Sequence, residues 1–182
     1  MAKAQRKTID KVFIMLGVIS TAVLVVIGGL AWWGYHFATT EVHDELSAQK
    51  IYFPPKGSPA IAALPAADQA AMNQYAGQQL IDGKQAKVYA NNFIKVHLDE
   101  VAGGQTYSQV STKSLADPTN AKLQQQKAVL FQGETLRGLL LGDGYAYWTF
   151  GMLAQYVAIA SLVGAGVMLL LVLAGLGHLK RL

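Results

Sequence analysis

Four histidines are the first residues to ask for chemistry. His36 and His43 lie seven residues apart, His97 stands in a later segment, and His178 is close to the C-terminal end. His43 with Asp44 and Glu45 beside it, joined by His97, would supply two imidazoles and a carboxylate, a set that suits iron or zinc. The spacing does not favour it. No HxxxH, HxH or HExxH pair occurs to support it. Nucleophilic chemistry fares no better. The chain has no cysteine and no GxSxG elbow, and neither GGLAWWG nor GLLLGDG leads from a strand into a phosphate-binding helix. The reading assigns no catalytic residue, no metal and no cofactor, and expects a protein that is not an enzyme.

The residues that remain are suited to contact. Glu134 and Arg137 stand at i, i+3, the spacing of a helical ion pair or of a polar patch offered to a partner or a lipid headgroup. Ala154, Ala158, Ser161 and Ala165 recur at i, i+4, i+7 and i+11, one small-residue face of a helix. Gly17, Thr21, Leu24 and Gly28 occupy the corresponding positions of an earlier segment, interrupted by bulky Leu24. Small residues let apolar helices approach closely. Either the two faces pack together, with Leu24 set against an alanine, or the later one serves a larger assembly. Gln155 is the one amide in its apolar stretch and needs a hydrogen-bond partner. Glu134, Arg137, Gln155, Ala158, Ser161 and Ala165 are the candidate partner contacts.

The elements that would position these residues follow from hydropathy. Val12–Trp33 carries no charge, and its 22 residues span roughly 33 Å as a helix, enough for a hydrocarbon core of about 30 Å. A secretory signal has a shorter apolar core and a small-residue cleavage site; here two tryptophans close the stretch. Tyr147–Leu176 is a second uncharged run of 30 residues. The expected fold is therefore mainly α and membrane-bound: a tail (1–11), a first transmembrane helix (12–35), a helical extracytoplasmic domain (36–145), a second transmembrane helix (146–176) and a tail (177–182). Lys3, Arg6, Lys7, Lys11, Lys180 and Arg181 against Asp10 leave the tails at net +5, while the nine basic and ten acidic residues between them sum to −1. Positive flanks stay inside, so both termini are expected in the cytoplasm, with the chain in the plasma membrane. The basic pI belongs to the flanks and does not indicate nucleic acid. Tyr145, Tyr147, Trp148 and Phe150, like Trp32, Trp33 and Tyr35, read as aromatic belts.

Between the spans, four of the five prolines fall in 48–65, read as an extended strap over helices. A helix is expected from Pro65 towards Ile81, with Asp82-Gly83 as a stop or turn. A second is expected over Lys84–Ala102, ended by Gly103-Gly104. Thr106 and Gln109 have the spacing of a capping box. Asp117-Pro118 reads as the start of a third helix running to about Leu141. Gly142-Asp143-Gly144 reads as a hinge. GETLRGLLL before it is expected to dock with Leu136, Leu139 and Leu140 inward.

HDELSAQKIYFPPKGSPA, NQYAGQQLIDGKQAKVYANNFI and FQGETLRGLLL…YAYWTFG together resemble a family of small two-span membrane proteins of mycobacteria and related actinobacteria, over about Trp32–Leu176. Some of its members carry the name of aromatic ring-opening dioxygenases, which implies an iron held by two histidines and a carboxylate. The architecture is also similar to accessory subunits of actinobacterial respiratory supercomplexes, which implies a non-enzymatic scaffold with membrane lipid and other membrane subunits as partners. A ligand-binding or sensor module acting through a partner is the alternative, since tails of about 11 and 6 residues hold no output domain.

Overall fold

The computed structural model describes residues 3–181. Met1, Ala2 and Leu182, at the ends of the expected tails, lie outside the described residues. The structure is all-helical: α1 (Lys3–Ala48), α2 (Pro59–Ala62), α3 (Ala66–Asn73), α4 (Gly83–Tyr89), α5 (Lys95–Ala102), α6 (Tyr107–Ala116), α7 (Ala121–Leu139) and α8 (Tyr147–Arg181). Wider π turns over Ala90–Ile94 and Leu140–Ala146 join α4 to α5 and α7 to α8. Two of the resulting helices, Gln5–Ala48 and Ala121–Arg181, are long and apolar enough to cross a membrane. The chain divides into two compact units, Met1–Phe37 with Phe150–Leu182, and Ala38–Thr149.

In the first unit the helices run antiparallel. Leu24 faces Gly164, and Ile14 faces Gly175. A methyl placed on Gly17 would lie 2.6 Å from Val172 Cγ2, and one on Gly28 2.7 Å from Leu162 Cγ. Gly151, Ala158, Ala165 and Val172 are buried at intervals of seven, with Ala154, Ser161, Met168 and Gly175 half-buried between them. That 3.5-residue period is the seam of a left-handed helix pair. Leu24 is thus accommodated by a glycine, not an alanine, because only a missing side chain leaves room for a leucine at this separation.

The second unit is built around Phe53, Ile61, Met72, Leu80 and Leu140, all at most 1% exposed. Phe53 enters from the proline-rich stretch and meets Tyr75 and Tyr89, each ring 5.3 Å away. Burial pushes the Tyr89 hydroxyl above its usual pKa. The strap is partly extended: Phe53 N–H donates to Gln78 O (2.9 Å) and Leu80 N–H to Ile51 O (2.8 Å), around a bridge between Tyr52 and Gln79. Pro59 starts a short helix within it, since proline suits a first helical position. This pairing corrects the expected helix 65–81. Helix α3 stops at Asn73, and Gly77 (φ 73°) turns the chain back towards 51–53.

The caps divide similarly. Asp82 is a start, not a stop: its carboxylate accepts from Gln85 N–H (2.9 Å), and Gln85 Oε1 accepts from Ile81 and Asp82 N–H. Gly103, left-handed at φ 61°, ends α5, and Thr106 with Gln109 caps α6. Asp117 closes α6 instead of opening α7; Asn120 is the N-cap, accepting from Leu123 N–H. Asp117 instead receives the Thr119 hydroxyl and Asn120 amide, which ties it into the turn.

Helix α4 lies against the Leu140–Ala146 turn. Gly144 meets Ala86, where a methyl would lie 3.0 Å from the alanine Cβ, and Gly83 lies directly against Trp148 Cβ. No hinge exists at 142–144; the chain stays helical, with wider hydrogen bonds such as Tyr147 N–H to Gly142 O. We predict that Gly83→Ala lowers stability by roughly 1–3 kcal/mol through overpacking. Gly138→Ala, with open space around it, should be neutral or stabilising by up to about 1 kcal/mol. Thermal unfolding in detergent distinguishes them; equal melting temperatures would contradict the Gly83–Trp148 contact.

Candidate partner-binding surface

The inward face of the α7 helix and its π turn runs through Leu130, Gly133, Arg137, Leu140, Gly144 and Trp148. Gly133 permits this phase, because a Cβ there would collide with Leu98. The expectation for the leucines therefore holds only in part. Leu140 is 1% exposed, but Leu139 is 53% and Leu136 37% exposed. Arg137, at the edge of the covered face, donates to Glu134 Oε2 (3.0 Å) and to Asn91 Oδ1 (3.2 Å). The pair with Glu134 is the one the spacing suggested. The Asn91 bond is not legible in the sequence, since 46 residues separate the partners.

Turning those leucines outward leaves a surface. Phe131, Leu136 and Leu139 are exposed large apolar side chains on α7. Gly138 and Gly142 beside them face open space, and a methyl added to either would meet nothing within 4 Å. The result is a strip of bare backbone between apolar ridges, next to the Glu134–Arg137 pair. Such a strip suits a second helix or an apolar chain, because exposed contiguous apolar surface is costly when left in water.

A different cluster forms on the other side of the π turn. Lys84 Nζ lies 5.6 Å from the Trp148 ring centroid and Lys87 Nζ 4.5 Å from that of Tyr145. Lys87 also donates to the Tyr145 hydroxyl (3.2 Å). This hydrogen bond, then the lysine charge, then a bond with Thr149 hold Tyr145 below the usual tyrosine pKa.

The remaining candidates are placed as follows. Ala158 (0% exposed) and Ala165 (5%) are buried, and Ser161 is half-buried, in the seam facing α1. That seam occupies them within the chain. Gln155 is half-buried beside it. His97 is exposed, its Nδ1 2.8 Å from Phe93 O, and His36 meets Trp32 edge-on and Tyr35 at a tilt. His43 is exposed on α1. His178 Nε2 is 4.0 Å from Asp10 Oδ2 at one end of the seam, beside a cleft of about 270 Å³ lined by Phe13, Ile14, Leu171 and Val172. Among the described residues, no three His, Asp or Glu side chains converge.

No protein-family model, curated protein or solved structure matches this chain.

The α7 geometry has a direct test. Leu140→Ala should cost about 2–5 kcal/mol, as for a buried leucine, whereas Leu139→Arg should change stability by less than about 0.5 kcal/mol. Chemical denaturation of the detergent-solubilised chain gives both values. A large loss for Leu139→Arg would mean that this face is covered within the monomer.

Proposed function

We propose that the protein is a two-span accessory or scaffold subunit of a plasma-membrane assembly, with Ala38–Thr149 as a helical domain outside the cytoplasm. The observation that carries this reading is the exposed strip of Phe131, Leu136, Gly138, Leu139 and Gly142 on α7. It offers contact area and no convergent catalytic groups. Membrane insertion is supported by exposure. Only 11% of the most apolar stretch of the first long helix and 17% of that of the second is buried. A core helix of a soluble protein would be covered on most sides. The net +5 flanks support cytoplasmic termini. The resemblance to actinobacterial two-span proteins, and in plan to accessory subunits of respiratory supercomplexes, is consistent with a role in assembly.

Topology and assembly are tested separately. The chain has no cysteine, so single cysteines report cleanly. Lys56→Cys and Ser108→Cys, both at exposed positions, should react with an impermeant thiol reagent in intact cells, and Gln5→Cys should not; the reverse pattern inverts the topology. In mild detergent the wild-type protein should migrate in a particle well above its own 19.5 kDa plus micelle. Leu139→Arg should release it from that particle at unchanged thermal stability. Arg137→Ala should weaken the association with little effect on the fold, because a partly exposed ion pair contributes about 0–1 kcal/mol. A free chain in the wild type, or an intact particle in Leu139→Arg, counts against the scaffold reading at this surface.

A further inference from the structure

Lys84 and Lys87 stand one turn apart on α4, and Tyr145 and Trp148 one turn apart on the helix it packs against. Each ammonium lies over one ring. Two observations make this more than a pair of ring contacts. Among the described residues neither ammonium has a carboxylate within 4.0 Å, while Lys95 and Arg137 in the same unit each have one. A ring face attracts a cation without neutralising it, so both charges remain available. Lys87 spends one of its three N–H donors on the Tyr145 hydroxyl, which leaves two.

The second observation is position. Trp148 lies at the start of the uncharged run from Tyr147, and Tyr145 just before it. Tryptophan and tyrosine sit at the level of lipid headgroups. Two cations held over these rings therefore lie where phosphate oxygens are the abundant anions. We propose that Lys84 and Lys87, seated on Trp148 and Tyr145, bind the phosphate of an anionic glycerophospholipid in the leaflet beside the Ala38–Thr149 unit. This rests on the two-span reading of the proposed function. The rings and the Gly83–Trp148 contact hold the lysine stems in place before the lipid arrives, which lowers the entropy lost on binding. Surface lysines elsewhere, such as Lys56 and Lys122, have no such seat.

The test uses the full chain in nanodiscs containing equal phosphatidylglycerol and phosphatidylcholine with matched acyl chains. Gentle extraction and native mass spectrometry then count retained lipid. Insertion into the nanodisc reports on the membrane reading independently of the lipid result. Wild type should retain phosphatidylglycerol in preference to phosphatidylcholine. Lys84→Gln/Lys87→Gln should reduce that preference by about tenfold or more, the loss expected for two lysines near a headgroup. The control Lys56→Gln/Lys122→Gln should leave it unchanged. Lys84→Arg/Lys87→Arg, which keeps the charge, should retain lipid and guards against a folding defect in the glutamine variant. An unchanged preference in the glutamine variant overturns the proposal. So does an equal loss in the control, which would show net charge alone. Displacement by excess inorganic phosphate would make this a free-anion site, and displacement by soluble polyglutamate an acidic-protein site; either also overturns it.

Discussion

The close approach of α4 to the π turn at Leu140–Ala146 is the contact on which the Ala38–Thr149 unit depends. It is possible because Gly83 and Gly144 present no side chain where Trp148 and Ala86 arrive. The capping box of Asp82 and Gln85 starts α4 at this crossing. The π turn follows from the same demand. A regular helix would carry Leu140, Gly144 and Trp148 progressively out of phase with a fixed neighbour, and a wider turn absorbs the difference. Leu140 is then buried, Trp148 lies beneath Lys84, and Tyr145 lies beneath Lys87.

The Met1–Phe37 and Phe150–Leu182 unit obeys the same rule with a different period. Its seam repeats every seven residues and is made of glycine, alanine and serine, relieved by Leu24, Met168 and Val172. In lipid no hydrophobic force would drive two such helices together, so dispersion at short range must do so, and small residues provide the range. Much of the rest of each helix surface is leucine, valine, isoleucine and phenylalanine left exposed, which suits a hydrocarbon solvent.

The proposed function rests on what these contacts leave uncovered. Packing uses the inward face of α7 and leaves Phe131, Leu136 and Leu139 outward. It buries Ala158 and Ala165 inside the chain. Partner binding, as proposed, uses the strip on α7. Arg137 joins the two roles: one guanidinium nitrogen reaches Glu134 and another Asn91, so the charge beside the strip is fixed in place by the fold.

Local signals were legible in the sequence because they depend on neighbouring residues alone. The two uncharged runs, the Gly103 helix stop, the Thr106–Gln109 box and the Glu134–Arg137 pair all have partners within a few residues, and the structure contains each of them. The small-residue faces were legible as faces; that they meet one another was decided by tertiary packing. At Asp82 and Asp117 the deciding contacts are local caps; elsewhere a distant contact overruled a local preference. Pairing of 51–53 with 77–80 shortened α3. The approach of Leu98 to Gly133 rotated α7 and turned Leu136 and Leu139 outward. Asp143 between two glycines reads as a hinge, yet packing of Gly144 on Ala86 and Leu46 keeps the helix continuous. The lysine–aromatic seat lay furthest from view. Lys87 and Tyr145 are 58 residues apart, and one-turn spacing on each helix says nothing about which helix it will meet.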